Sequence, residues 1–490
     1  MKMLVLGLDG ADQRIIRSMD MPFTQQLLKD GMSLALEEDL LSRGWAEMLT
    51  GLHGSETKGL YLWPKLDGTY EFTPSFSCTS GSLENDGIVP LWSLLNKRGF
   101  DVGIQNIPTT GPAAQVKGFF VSGGGGGASG AQGIPGNMVW PPAVKRILEQ
   151  ENYIFDVRGP EKHKRLSLFL KNLENALQTQ VDSFIKLSNH FKPDFGFVCF
   201  RLSVELQYLA MSEIEEIWKE HEEKPFGASN HGDSYVRTAI INHFKYLDKC
   251  IESIFNALNP KQYIFTADHG IESYKHEANV DVFLAARGWQ KQPSYWNKYA
   301  RKIATRGPAR VRRLLGIRKK KSRKLEPYTN FNKKSTLAFG NFFDSGNFAG
   351  IYINDKRRFG GPVAEGHHLD ELRKEICDSF NEDPVWRSHN MQASPYRSLF
   401  EGARYEHLLP DIRIEKPDSV FFSGRRNLAI LENKNFSPLT EDISKGWYPY
   451  SGVKGRHPLF FTDSETGKFL ENGDPKDLRL VYRLIDRAFS

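Results

Sequence analysis

Long apolar runs are missing from this chain. No stretch of about 18 apolar residues occurs, so nothing in the sequence reads as a membrane-spanning helix. Cysteine is scarce: four in 490 residues, at Cys78, Cys199, Cys250 and Cys377, with no CxxC spacing. Such scattered thiols exclude a disulfide framework and a cysteine-rich zinc module, and they suit reduced thiols in a cytoplasmic protein. The first residues, MKMLVLGLDGADQ, lack the longer apolar region and small-residue cleavage site of a secretory leader. The glycines at 123–127 are not followed by Gly-Lys-Ser/Thr, which excludes a P-loop there and leaves a flexible connection or lid. No internal repeat is visible.

Charge is present but uneven. The net charge is +6, yet residues 298–324 carry 13 Lys or Arg and no acid, so the rest of the chain carries −7. A basic segment with Leu314, Leu315 and Ile317 suits an amphipathic surface stretch able to meet an anionic membrane surface. The other reading is a solvated insertion. Aromatics are not interleaved with these cations, so no specific nucleic-acid recognition is expected. Nothing bears on oligomeric state.

The hydrophobic pattern alternates between short buried runs and helical periods. MLVLGL (3–8), FDVGIQNI (100–107), FGFVCF (195–200) and YIFTA (263–267) read as strands buried on both faces. Helical periods fall at 22–31, 43–51, 90–99, 162–190, 234–258, 280–288 and 365–380, and further strands at 334–343 and 349–354. Strands alternating with helices predict an α/β fold with a mostly parallel central sheet flanked by helices, carrying inserted loops and a cap region. The expected domains are a core of 1–290 with 330–490 and a basic insertion or lid at 291–329.

Two carboxylates stand where packing explains them poorly. Asp9 ends the first apolar run and precedes Gly10; Asp268-His269-Gly270 ends the run YIFTA. In open parallel sheets ligands bind beyond the carboxyl ends of strands, so the two segments are expected to converge. Oxygen and nitrogen donors from two strand ends suit a divalent metal, Zn²⁺ first and Mn²⁺ second. An Asp capping the next helix is the alternative for Asp9.

With these pieces the chain resembles the type I phosphodiesterase/nucleotide pyrophosphatase family of the alkaline phosphatase-like superfamily. The resemblance runs through LVLGLDGA (4–11), GWAEMLTGLHGSETKG (44–59), FTADHG (265–270), NVDVFLAARGW (279–289), STLAFG (335–340), GIYIND (350–355), LPDIRI (409–414) and GVKGRHP (452–458), in family order over nearly the whole length. It implies a two-metal phosphoryl-transfer hydrolase that cleaves a phosphodiester or phosphomonoester through a phospho-enzyme on a Ser or Thr at a helix N-terminus. Asp9, Asp268 and His269 match one metal site, and His457 matches a late histidine of a second.

Two positions depart from the pattern. The family nucleophile lies roughly nine residues before Thr50-Gly51, which lands on Leu41; neighbouring Ser42, before the helical stretch, becomes the expected nucleophile, with Thr50 and Ser55 behind it. An N-cap role is the alternative for Ser42. Arg43 and Lys58 are the expected phosphate contacts. At the second metal the family's Asp and His positions read Val204 and Tyr208, which leaves Glu205 as a substitute ligand beside Gln207. These departures keep two alternatives open: a phospho-group transferase of surface glycan or lipid pathways, and a catalytically degenerate phosphatase-like binding protein.

Overall fold

A computed structural model of the chain describes residues 1–123, 134–157, 159, 162–223, 235–291, 331–341, 348–423, 428–444 and 450–490. The basic segment 298–324 and most of the glycine-rich stretch lie outside the described residues. Among the described residues no helix is long and apolar enough to cross a membrane.

The chain divides into two compact units: 1–61 with 76–275 and 433–490, and 62–75 with 276–432. This differs from the division expected from sequence. The boundary falls at 275/276 instead of 290, and 331–432 belongs to the second unit instead of the core.

The first unit is built on an eight-stranded sheet. Its strands in chain order are β1 (Met3–Leu8), β2 (Met32–Ser33), β3 (Val102–Ile107), β4 (Gly118–Ser122), β5 (Val139–Trp140), β6 (Phe195–Phe200) and β7 (Gln262–Thr266). A two-stranded ribbon, β8 (Gly270–Ser273) with β9 (Gly452–Gly455), stands apart, and β10 (Phe460–Thr462) returns to the sheet. The spatial order is β2-β10-β7-β1-β6-β3-β4-β5. The strands from β7 to β4 are parallel to their neighbours, while β10, β2 and β5 pair antiparallel at the edges. The mostly parallel sheet expected from the apolar runs is therefore present.

Why β1 can be apolar at every position is visible in its side chains. Leu4, Leu6 and Leu8 enter one core and Met3 and Val5 enter another, as the two-residue period of a strand requires. The helices α3 (Leu166–Phe191), α4 (Leu202–Glu223) and α5 (Tyr235–Leu258) supply the first core. On the opposite face α1 (Gly44–Thr50) packs against α2 (Leu91–Lys97) and α6 (Arg479–Ala488). Each fully buried Leu, Ile, Val or Phe on these faces contributes about 1.5–3 kcal/mol. The sequence reading missed α4, a helix that begins directly after β6 and is kinked at Ala210.

The second unit holds a four-stranded antiparallel sheet and a three-stranded one centred on His276–Ala278. The four-stranded sheet runs Ala338–Asn341, Ala349–Ile353, Ile412–Glu415, Gln392–Pro395. Its core includes Phe283, Ile351, Phe380 and Trp386. Buried Arg358 is held there by Asp355 and Asp411, which answers the cost of burying a charge.

Candidate active site

The site lies wholly in the first unit. The strands β7, β1 and β6 are adjacent and parallel; Asp9 and Arg201 directly follow β1 and β6, and Asp268 follows β7 after Ala267. Position in the sheet alone brings these three side chains together.

Asp9, Asp268 and His269 are buried, and each offers a ligand atom within 4.8 Å of the other two. His269 Nε2 is 3.5 Å from Asp9 Oδ1 and 3.7 Å from Asp268 Oδ1. Its Nδ1 lies 2.6 Å from the Gly270 carbonyl oxygen, an acceptor only. The ring proton therefore sits on Nδ1, and the Nε2 lone pair faces the carboxylates.

Two glycines make the assembly fit. Gly10 has φ +69°, and a Cβ there would overlap Val204 Cγ2 and come within 3.0 Å of His269 Cε1. Gly44 opens α1, and a Cβ there would come within 2.5 Å of the Asp268 carbonyl oxygen. The start of that helix thus rests directly on the segment that carries Asp268 and His269.

Cations surround the carboxylates. Arg201 Nε is 3.8 Å from Asp9 Oδ2, and its guanidinium also binds Glu205 at 2.8 Å and Asp156 at 3.2 Å. Lys454 Nζ is 3.8 Å from Asp268 Oδ2 and donates to Tyr61 Oη at 2.7 Å. Tyr61 in turn donates to Asp268 Oδ2 at 3.1 Å. The Arg43 guanidinium stands 5.1 Å from the Tyr61 ring centre, and Tyr208 Oη lies 3.2 Å from His269 Nε2.

This environment shifts the titrating groups. Burial and the neighbouring Asp268 carboxylate push Asp9 up to about 8. Burial acts the same way on Asp268, but His269, Lys454 and the Tyr61 hydrogen bond outweigh it and hold that carboxyl below its ordinary value. Burial drives His269 down to about 4, so it is neutral near pH 7. Burial would lower Arg201, yet Asp156, Glu205 and Asp9 together raise it. Burial also lowers Lys454, against the pull of Asp268 and Asp9.

The donor set fits the divalent ion expected from sequence. Asp268 Oδ1 is buried with no hydrogen-bond partner, a costly arrangement unless something else satisfies it. It faces the same space as His269 Nε2 and Asp9 Oδ1. Two carboxylate oxygens and one neutral imidazole are a borderline-hard donor set, suited to Zn²⁺ or Mn²⁺.

Other expected site residues are placed differently. His457 is exposed, its Nδ1 3.3 Å from the Leu36 carbonyl oxygen, and the side chain of that segment which enters the cluster is Lys454. Glu205 sits in the first turn of α4, bound to Arg201, so no shifted loop carries it to the Asp9, Asp268 and His269 cluster. Val204 packs against Gly10.

Ser42 is decided by strand alternation. Residues 41–43 run extended beside 59–61: Arg43 N–H donates to Gly59 O, and Tyr61 N–H donates to Leu41 O. Arg43 and Tyr61 face the cluster, so Ser42 faces the other way. Its hydroxyl accepts from Gly54 N–H at 2.9 Å and bonds Glu47, a carboxyl that burial pushes up to about 7. Thr50 donates to the Ala46 carbonyl oxygen at 2.7 Å. Ser55 Oγ lies 3.0 Å from His53 Nδ1, and His53 Nε2 lies 3.0 Å from Asp39. Lys58 ends the short helix Gly54–Thr57 in the left-handed conformation.

Sequence reasoning missed Arg201, Tyr61 and Lys454. Arg201 was within reach, because it follows FGFVCF as Asp9 follows MLVLGL. Tyr61 and Lys454 come from segments whose local pattern carries no such signal.

A mostly parallel eight-stranded sheet flanked by helices is an α/β fold that solved structures of low sequence identity share. Among solved structures the chain is similar to phosphonoacetate hydrolase from Sinorhizobium meliloti 1021 in complex with phosphonoacetate, at 10% identity and TM-score 0.54, covering 100% of this chain and 96% of that one. The same enzyme in complex with phosphonoformate gives 10% identity and TM-score 0.53, with 100% and 96% covered. Human ectonucleotide pyrophosphatase/phosphodiesterase 5 gives 12% identity and TM-score 0.49, with 100% and 95% covered. No protein-family description matches the chain, and no curated protein sequence matches it.

Proposed function

We propose that this chain is a metal-dependent hydrolase of phosphoesters built around one divalent ion held by Asp9, Asp268 and His269. The observation that carries the reading is the orphaned Asp268 Oδ1 beside the Asp9 carboxylate and the His269 Nε2 lone pair, all buried. A divalent ion there supplies Lewis-acid charge to a phosphoryl oxygen.

The protein's own groups do the rest. Lys454 and Arg43 place positive charge where the remaining phosphoryl oxygens lie, and such charge counts for more in a buried site than in water. Tyr61 fixes the Asp268 carboxylate by its hydrogen bond, and Gly270 fixes the His269 ring. Neutral His269 keeps an Nε2 lone pair near pH 7, which the ion would take over from the Tyr208 hydroxyl 3.2 Å away. Water is the attacking group in this reading, because Ser42 faces Gly54 and Glu47. The substrate class is a phosphomonoester or phosphodiester, and Zn²⁺ is favoured over Mn²⁺.

The test is turnover. Purified protein with Zn²⁺ or Mn²⁺ is expected to hydrolyse an aryl phosphate monoester or diester, and EDTA or Asp268→Ala is expected to abolish it. No turnover of either ester, or equal turnover by Asp268→Ala, contradicts the reading.

A second reading has its own observation. Leu41, Val204 and Tyr208 stand where the family resemblance implies a nucleophile and metal ligands, which favours a site that binds phosphoesters without cleaving them. Saturable binding of an aryl phosphate diester with no product over a day supports that reading.

A further inference from the structure

The Asp268 carboxylate is divided between two tasks. Its Oδ1 faces Asp9 and His269 and has no hydrogen-bond partner. Its Oδ2 accepts from Tyr61 and lies 3.8 Å from the Lys454 ammonium. A carboxylate that bridges two ions through separate oxygens needs both, and here Oδ2 is taken by Tyr61 with the Lys454 ammonium beside it.

Lys454 is built into that place. It lies on β9, opposite Ile271 of β8, and β8 begins directly after His269. The backbone pairing therefore fixes the lysine relative to the ligands. Its ammonium stands 4.0 Å from the Tyr61 ring centre and 2.7 Å from the Tyr61 hydroxyl, so ring and hydroxyl both hold it. The other positions where the resemblance implies second-ion ligands do not supply them: Glu205 is bound to Arg201, Val204 packs against Gly10, and His457 is exposed beside Leu36.

We infer that Lys454 is a fixed cation standing in for a second metal, so that the site takes one divalent ion per chain and Lys454 is the positioning residue for the anionic oxygens of the phosphoester. This rests on the single-ion reading proposed above and goes beyond it in assigning the lysine. A fixed ammonium repels a divalent ion beside it and attracts a phosphate. Removing it must move the two affinities in opposite directions, which a merely structural lysine would not do.

The experiment uses the full chain, with Mn²⁺ alone and with inorganic phosphate as probes. Mn²⁺ stoichiometry is read by equilibrium dialysis and elemental analysis, and both affinities by calorimetry, for the wild type, Lys454→Met and Lys454→Arg. The expected results are one Mn²⁺ per wild-type chain, Mn²⁺ binding tightened in Lys454→Met, and phosphate binding weakened on the order of tenfold. Lys454→Arg restores phosphate binding. Two ions per wild-type chain overturn this inference and leave the phosphoester reading standing, whereas no ion overturns both. If Lys454→Met fails to fold, Lys454→Arg alone decides: phosphate binding lost despite the retained charge overturns the inference.

Discussion

Asp9 must lose a proton before it can hold a metal ion, and the structure sets how strongly that couples metal binding to pH. Burial and Asp268 raise its pKa to about 8, while His269, lowered to about 4, stays deprotonated from weakly acidic to weakly basic conditions. The sign follows directly. Below about 8 the protonated form of Asp9 dominates, the ion has to displace a proton, and affinity falls as pH falls. With a pKa of about 8 the carboxylate is ~1% ionised at pH 6 and ~50% at pH 8, so Mn²⁺ affinity rises ~50-fold, or ~2.3 kcal/mol, across that interval. Calorimetric titration with Mn²⁺ in two buffers of different protonation enthalpy measures both quantities. About one proton should be released per ion at pH 6 and about half of one at pH 8. An affinity flat between those pH values, with no proton released, refutes the argument that buried Asp9 is a ligand.

Four further outcomes are expected. The ion-free protein should lose stability as pH rises from about 6.5 to 8. There Asp9 binds a proton that the unfolded chain does not hold, its unfolded value being 3.8, and the loss is roughly 1.6 kcal/mol from this group alone. Glu47, pushed up to about 7, adds to the same slope, and thermal unfolding in EDTA at the two pH values checks it. Gly10→Ala should cost about 2–4 kcal/mol in urea unfolding, because Gly10 has φ +69° and its new Cβ overlaps Val204. Adding Val204→Ala should return the packing part only. Ser42→Ala should keep turnover within about threefold while losing about 1–3 kcal/mol of stability, since the buried Gly54 N–H loses its acceptor. A hundredfold loss of turnover with an intact fold would restore Ser42 as the attacking group. Saturating Mn²⁺ at 100 times its Kd should stabilise the wild type by about 2.7 kcal/mol and leave Asp268→Ala unmoved in a thermal scan.

What the residues declare locally is what could be read from them. MLVLGL and FGFVCF are apolar at every position because both faces of their strands meet helices, so they announced a parallel sheet. Asp9 and Asp268 were legible for the converse reason: a carboxylate at the end of such a run serves no packing purpose. Contacts made by segments distant in the chain were not legible. Lys454 reaches Asp268 through the pairing of β9 with β8, across nearly 190 residues, and no local pattern records that pairing. Ser42 faces away from the cluster for a smaller reason. A strand reverses its face at every residue, so a hydroxyl one position from the expected nucleophile points to the opposite side. The helix α4 was hidden because its apolar residues ran on from β6 without a turn signal.

The central claim is that one divalent ion sits between Asp9, Asp268 and His269. Anomalous diffraction from crystals grown with Mn²⁺ tests it most directly. The account predicts a single anomalous peak bonded to Asp9, to Asp268 Oδ1 and to His269 Nε2, with Lys454 unmoved on Tyr61. No peak at that triangle, or a peak only elsewhere on the chain, would contradict it.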